Sequence, residues 1–310
     1  MSKHRFTVQG EMTCLDGIPF LAKGVRCSNA LISDAAADQL IENLSLFASY
    51  GVNTISVFLQ GSRFGDVKGY RQDAALDPVY AARMGRIIEA ADARAMVVLA
   101  GCLYWGNSKA KWENWTQTEA NAAVRNTAAW LCDRDYRNVI VDVDNEGMAL
   151  RGAGFDNRQM VIAGKEADRE CIIGTNFKGH PPPEADLALH FAHPVPGKPY
   201  IQSEGSPTSG LPLAVPGGYW GPYSKQDGLY QYVNIGVYTK EMKASQIADA
   251  RAHFERGHGY MLAATWLQAA PPEGPNHCPG GNGTRDDPGI RWWLEWLTNA
   301  YGPYKPEDTR

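Results

Sequence analysis

Short, almost continuously apolar runs alternate along this chain with stretches whose apolar residues recur three and four positions apart. That alternation predicts parallel strands joined by amphipathic helices. Residues 6–20 follow another rhythm, apolar and polar positions alternating singly around Gly10 and Asp16-Gly17, which predicts an N-terminal hairpin able to plug the bottom of a barrel. The strand candidates are 19–29, 52–59, 95–105, 139–147, 171–177, 187–193, 199–205 and 259–268. Helix starts are signalled by Ser33 as an N-cap, by Asp77 followed by Pro78, and by the capping-box pair Thr116 and Glu119. Further helical patterns cover 157–168, 240–256 and a last segment containing Trp292, Trp293 and Trp296, whose indoles are expected to pack.

Eight strand candidates in this order predict an α/β fold, a closed (β/α)8 TIM barrel, as a single catalytic domain over residues 1–310. One side of it is expected to be irregular. Only KGHPPPEAD separates the fifth and sixth strand candidates, and only PVPGK the sixth and seventh. A parallel crossover needs about a dozen residues, so helices 5 and 6 are expected to be shortened or missing.

Composition narrows the function classes. With 310 residues, 44% hydrophobic and 21% charged, the chain can bury a sizeable core. A net charge of −4 with scattered Lys and Arg excludes a nucleic-acid partner, which needs clustered positive charge. The six cysteines include no CxxC pair and are expected to be free and buried. No run approaches the about 20 apolar residues of a membrane span. The opening MSKHRFTVQG lacks the pattern of a secretory leader, so a cytoplasmic location is expected as written, or a secreted or periplasmic one if a leader was removed. Segments 206–238 and 269–288 are rich in Gly and Pro, the first also in aromatics, and both follow strand C-terminal ends, where barrel active sites are built.

The fourth strand candidate carries the clearest chemistry, because Asp142, Asp144 and Glu146 alternate with Val141 and Val143 and so are expected to share a face. Acidic residues in a strand buried on both sides are costly unless they serve a purpose. Asp142 and Asp144 are read as structural, paired with arginine or backbone N–H groups. Glu146 and Glu204, at the C-terminal ends of the fourth and seventh strands, can face each other across a cleft as proton donor and nucleophile.

Asn145-Glu146 and the distant Glu204 resemble the signature of clan A retaining glycoside hydrolases, in the style of glycoside hydrolase family 5. GIPFLAKGVRCSN is similar to their first strand, LFASYGVNTISVF to the first helix and second strand, KPYIQSEG to the nucleophile strand and ATWLQ to the eighth. The resemblance implies a retaining β-glycoside hydrolase that cleaves a β-linked oligo- or polysaccharide without a cofactor. It implies Glu146 as acid/base, Glu204 as nucleophile, Asn145 as partner of the sugar 2-OH, Trp266 as floor of the −1 subsite and His190 lining the cleft. Ser56 stands where family 5 carries a strand-two arginine, and Arg26 on the first strand is placed to substitute for it. Retention requires carboxyl groups about 5–5.5 Å apart, which is the expected separation. Trp105, Trp112, Trp115 and Trp220 are candidates for stacking on sugar rings.

Two other readings compete. A metal-dependent barrel hydrolase or isomerase would use Asp144, Glu146, His190, His193 and Glu204 as ligands. Against it, His190 and His193 fall on opposite faces of a regular strand, and the first strand lacks an HxH pair. A catalytically inactive carbohydrate-binding barrel is disfavoured by the presence of both glutamates.

Overall fold

The computed structural model describes residues 2–60, 67–104, 115–147, 154–205, 240–263 and 290–305. Three short antiparallel strands come first, β1 (Phe6–Gln9), β2 (Met12–Leu15) and β3 (Ile18–Pro19), so the expected hairpin carries a third strand. Eight parallel strands then close into a barrel: β4 (Lys23–Arg26), β5 (Thr54–Phe58), β6 (Val97–Leu103), β7 (Val139–Asp144), β8 (Ile172–Thr175), β9 (Leu187–Leu189), β10 (Tyr200–Gly205) and β11 (Gly259–Leu262). They pair in chain order, and β11 returns to β4.

Helices α1 (Asp34–Ser49), α2 (Pro78–Asp92), α3 (Gln117–Asp133) and α4 (Asn157–Ala167) follow β4 to β7. Their starts are fixed by the predicted side chains, which satisfy N–H groups that a helix leaves unpaired. Ser33 accepts from the Ala36 N–H and Asp77 from the Val79 N–H, while Thr116 and Glu119 form the reciprocal capping box. No helix lies in 176–186 or 190–199, so β8, β9 and β10 are joined by bare connections, as their length demands. Helices α5 (Lys240–Glu255) and α6 (Arg291–Tyr301) flank β11. Trp293 of α6 is fully buried against Tyr260 and Trp296, a packing role. Among the described residues no helix is long and apolar enough to cross a membrane.

Alternation along the strands divides the core into two layers. Val25, Ile55, Val57, Val98, Val141, Val143 and Ile173 face the helices. Val97, Leu99, Ile140, Leu187, Ile201 and Met261 point into the barrel, where Phe6, Leu15, Phe20 and Ala22 from the N-terminal segment pack against them and close its floor. The other end is left for chemistry. Cys14, Cys27, Cys102 and Cys171 are buried, and Cys132 is half-buried.

Candidate active site

The alternation that sends Val141 and Val143 outward sends Asp142 and Asp144 into the barrel, and both are fully buried. Glu146 departs from the expected pattern. β7 stops at Asp144, and Asn145–Gly147 form a 3-10 turn in which Glu146 has φ 55° and ψ 17°. The left-handed turn, rather than strand alternation, therefore sets the direction of the Glu146 carboxyl. Glu204 is also placed by an irregularity. Pairing of β10 with β11 runs from Gln202↔Tyr260 to Gly205↔Leu262, one extra residue on β10. Such a bulge re-aims a side chain, and here it accompanies a Glu204 carboxyl set against Arg26. His190 follows β9 directly and has a positive φ of 36°.

Arg26 ties these strand ends together. Its Nη1 lies 3.1 Å from Glu204 Oε2, its Nη2 donates to Asn145 Oδ1 at 2.7 Å, and its Nε donates to Ser28 Oγ at 3.1 Å. The guanidinium also lies over the rings of Phe58 and Tyr104, at 4.9 and 5.2 Å from their centroids. Gly101 makes that platform possible, since a Cβ there would sit 1.9 Å from the Phe58 ring. Burial works against the Arg26 charge, yet Glu204, Tyr104, Asp142 and Glu146 leave its pKa above the ordinary value. Arg26 is thus a permanent cation buried among these strand ends.

The acids divide by surroundings. Burial raises the Glu204 pKa; Arg26 pulls it back and Glu146 adds to the rise. Burial likewise pushes Asp142 up to about 6, against the opposing influence of Asn176 and Arg26. Asn176 Nδ2 donates to Asp142 Oδ2 at 3.2 Å and to Asn145 Oδ1 at 3.0 Å. Asp142 is therefore part of the support under Asn145, in keeping with a structural role. Burial would lower the His190 pKa, but its hydrogen bond to Glu146 and the nearby Glu204 charge raise it.

One carboxylate oxygen from Glu146, one from Glu204 and a ring nitrogen of His190 all lie within 4.8 Å of one another. His190 Nε2 meets Glu146 Oε1 at 3.1 Å. The three side chains are spaced so that they could hold a divalent cation. The larger ligand set does not assemble: among the described residues neither Asp144 nor His193 joins the cluster, and the His193 ring packs against His180 at 5.3 Å.

No protein-family profile matches the sequence, and no curated protein matches it. Solved structures do match. A beta-glucanase from Saccharophagus degradans is 14% identical, with a TM-score of 0.60 over 97% of this chain and 94% of that one. An exo-beta-1,4-mannosidase from Opitutaceae bacterium strain TAV5 is 14% identical, with a TM-score of 0.61 over 94% of this chain and 61% of that one. A glycoside hydrolase family 5 protein from Bacteroides vulgatus is 15% identical, with a TM-score of 0.58 over 96% of this chain and 72% of that one. This chain has the fold of family 5 glycoside hydrolases. In that fold Glu146, Glu204, Arg26, Asn145 and His190 stand together at the C-terminal mouth of the barrel.

Trp105, Trp112, Trp220 and Trp266 lie outside the described residues. Trp115 is a correction, because its ring is buried against Tyr70 at 6.0 Å and its indole N–H donates to the Gln72 carbonyl at 3.1 Å. It packs under a loop and does not face sugar. The sequence reading missed Asn176 and Gln202. The first supports Asn145, and Gln202 Oε1 lies 2.5 Å from His190 Nδ1. A signal existed for both, since each is an amide, Gln202 within β10 and Asn176 directly after β8, where packing alone would select an aliphatic residue.

Proposed function

We propose that this protein is a retaining β-glycoside hydrolase that cleaves a β-linked oligo- or polysaccharide by double displacement, with Glu204 as nucleophile and Glu146 as acid/base. The observation that carries this reading is the close approach of the two carboxylates, within 4.8 Å, at the mouth of the barrel with a buried arginine on one of them. That approach suits the retaining separation of about 5–5.5 Å and leaves no room for the water that inverting enzymes hold between carboxyls about 6.5–9.5 Å apart.

The two glutamates differ in what they touch. Arg26 at 3.1 Å favours the ionised form of Glu204, the form that attacks the anomeric carbon. Glu146 gives its proton to the leaving oxygen and, once the glycosyl-enzyme has formed, takes a proton from the water that attacks it. Asn145 has its amide oxygen engaged by Arg26 and Asn176, which turns its NH2 group toward Glu204, beside the place a sugar 2-OH would occupy. The similar structures include a beta-glucanase solved with cellotetraose and a beta-1,4-D-mannanase, which supports a β-linked glucan or mannan as the substrate class.

A divalent-metal site is the second reading, because three ligand types converge. Arg26 weighs against it, since its positive charge already occupies Glu204 Oε2 and would repel a second cation there.

Hydrolysis of a panel of β-glycans and aryl β-glycosides by wild type, Glu146→Ala and Glu204→Ala, with and without azide, tests the assignment. Both variants are expected to lose at least about 100-fold in kcat, consistent with loss of acid–base or covalent catalysis. Azide should restore Glu204→Ala with an inverted glycosyl azide. Wild-type activity in both variants, or its loss in chelator, would remove the reading.

A further inference from the structure

Gln202 stands beside Glu204 on β10, and its side-chain oxygen has two neighbours. His190 Nδ1 lies 2.5 Å away and the Glu204 backbone N–H approaches at 3.4 Å. The second contact settles which end of the amide faces them. A backbone N–H can only donate, so the atom it meets must be the carbonyl oxygen; the NH2 group there would set donor against donor. The same oxygen can only accept from His190, so Nδ1 must carry a hydrogen. That leaves Nε2, 3.1 Å from Glu146 Oε1, as the ring atom whose protonation can change.

We propose that Gln202 is a positioning residue, which fixes the His190 hydrogen on Nδ1 and turns the Nε2 lone pair toward Glu146, while its contact with the Glu204 N–H anchors its own amide on the nucleophile strand. The catalytic consequence rests on the glycosidase reading above; the tautomer does not. One hydrogen shared between Nε2 and Oε1, 3.1 Å apart, satisfies both atoms. When Glu146 holds it, neutral Nε2 accepts the hydrogen bond; when His190 holds it, Nε2–H donates to the carboxylate. With the hydrogen on Nε2 and a bare Nδ1, neutral His190 would face the Gln202 oxygen acceptor to acceptor and have no lone pair to offer a protonated Glu146. Tyr200, two residues earlier on β10, contributes its hydroxyl, which donates to the His190 carbonyl at 2.6 Å and holds a backbone at φ 36°. Tyr200 and Gln202 thus fix the backbone and the ring of one histidine.

The test is two-bond 1H–15N correlation on the full chain labelled with 15N-histidine, with the His190 resonances assigned by their disappearance in His190→Gln. Wild type is expected to show neutral His190 protonated on Nδ1, and Gln202→Met to shift it to a mixture or to the Nε2–H form. Gln202→Glu keeps an acceptor on Nδ1 and should restore the wild-type pattern. In turnover, Gln202→Met is expected to lower kcat at least about tenfold with KM little changed, as for a group that orients another. A wild-type histidine protonated on Nε2 overturns the proposal without any variant having to fold, as does a tautomer unchanged in Gln202→Met. Confirmed tautomers in a protein that cleaves no glycoside would instead leave Gln202 in place and remove the glycosidase reading.

Discussion

At the scale of single residues, the site is built on conformations that the neighbouring structure must impose. Glu146 occupies the left-handed region, which costs a non-glycine residue on the order of 1 kcal/mol. The geometry is retained because Asn145 on one side is held by Arg26 and Asn176, and the Glu146 carboxyl on the other meets His190. Comparing Glu146→Gly with Glu146→Ala isolates this cost, since both remove the carboxylate and only glycine accepts the backbone freely. The glycine variant is expected to be more stable by about 1 kcal/mol in urea unfolding, with both variants inactive. Equal stability would mean that no strain resides at this residue. The identity of Glu146 was legible, because an acid beside an apolar strand stands out. Its direction was not, because period-two alternation presumes that the strand continues.

Among elements, the helix starts were legible because each is decided by a few adjacent residues, as Ser33, Asp77 and the Thr116–Glu119 pair illustrate. Strand ends were less legible. The candidates at 139–147 and 187–193 both run past the observed ends at Asp144 and Leu189, since apolar and polar letters can alternate through a turn as well as along a strand. Packing between elements depends on small residues placed opposite large ones, and Gly101 on β6 is the case that reaches the site. Adding one methyl there would drive into Phe58 of β5, the ring beneath Arg26. Gly101→Ala is expected to cost about 1–3 kcal/mol, the range for overpacking, and to lower kcat/KM through displacement of Arg26. Thermal unfolding and steady-state kinetics check the two parts. An unchanged melting temperature would show that Phe58 has room to move.

For the whole molecule, burial of acids at the barrel centre ties stability to pH. The Asp142 pKa moves from 3.8 to about 6 on folding. Between those values the folded chain binds more protons than the unfolded one, so stability falls as pH rises through the window. Burial moves the Glu204 pKa in the same direction. The raised pKa of His190 also makes its contribution fully present at low pH and lost as pH rises through the folded value. All three groups therefore favour the acidic side. Asp142→Asn keeps an oxygen for Asn176 and removes the titration. Its stability relative to wild type should rise between about pH 4 and 6.5 and then level off, by at most about 3 kcal/mol at 1.36 kcal/mol per pKa unit. Urea unfolding at pH 4, 5, 6 and 7 measures the difference, and a flat difference would show that Asp142 titrates alike in both states.

By itself, the sequence determined the repeating strand and helix units, the capped helix starts, the two bare connections around β9 and the acids at strand ends. Each of these is written in neighbouring residues, through hydrophobic period, capping chemistry and connection length. Only the tertiary structure decided that Arg26, Asn145, Asn176, His190, Gln202 and Glu204 form one network. Those residues come from strand ends far apart in the chain, and their meeting depends on closure of the barrel, on strand registers and on one extra residue in β10. Register and closure are collective properties of eight strands, whereas the sequence pattern constrains each strand separately.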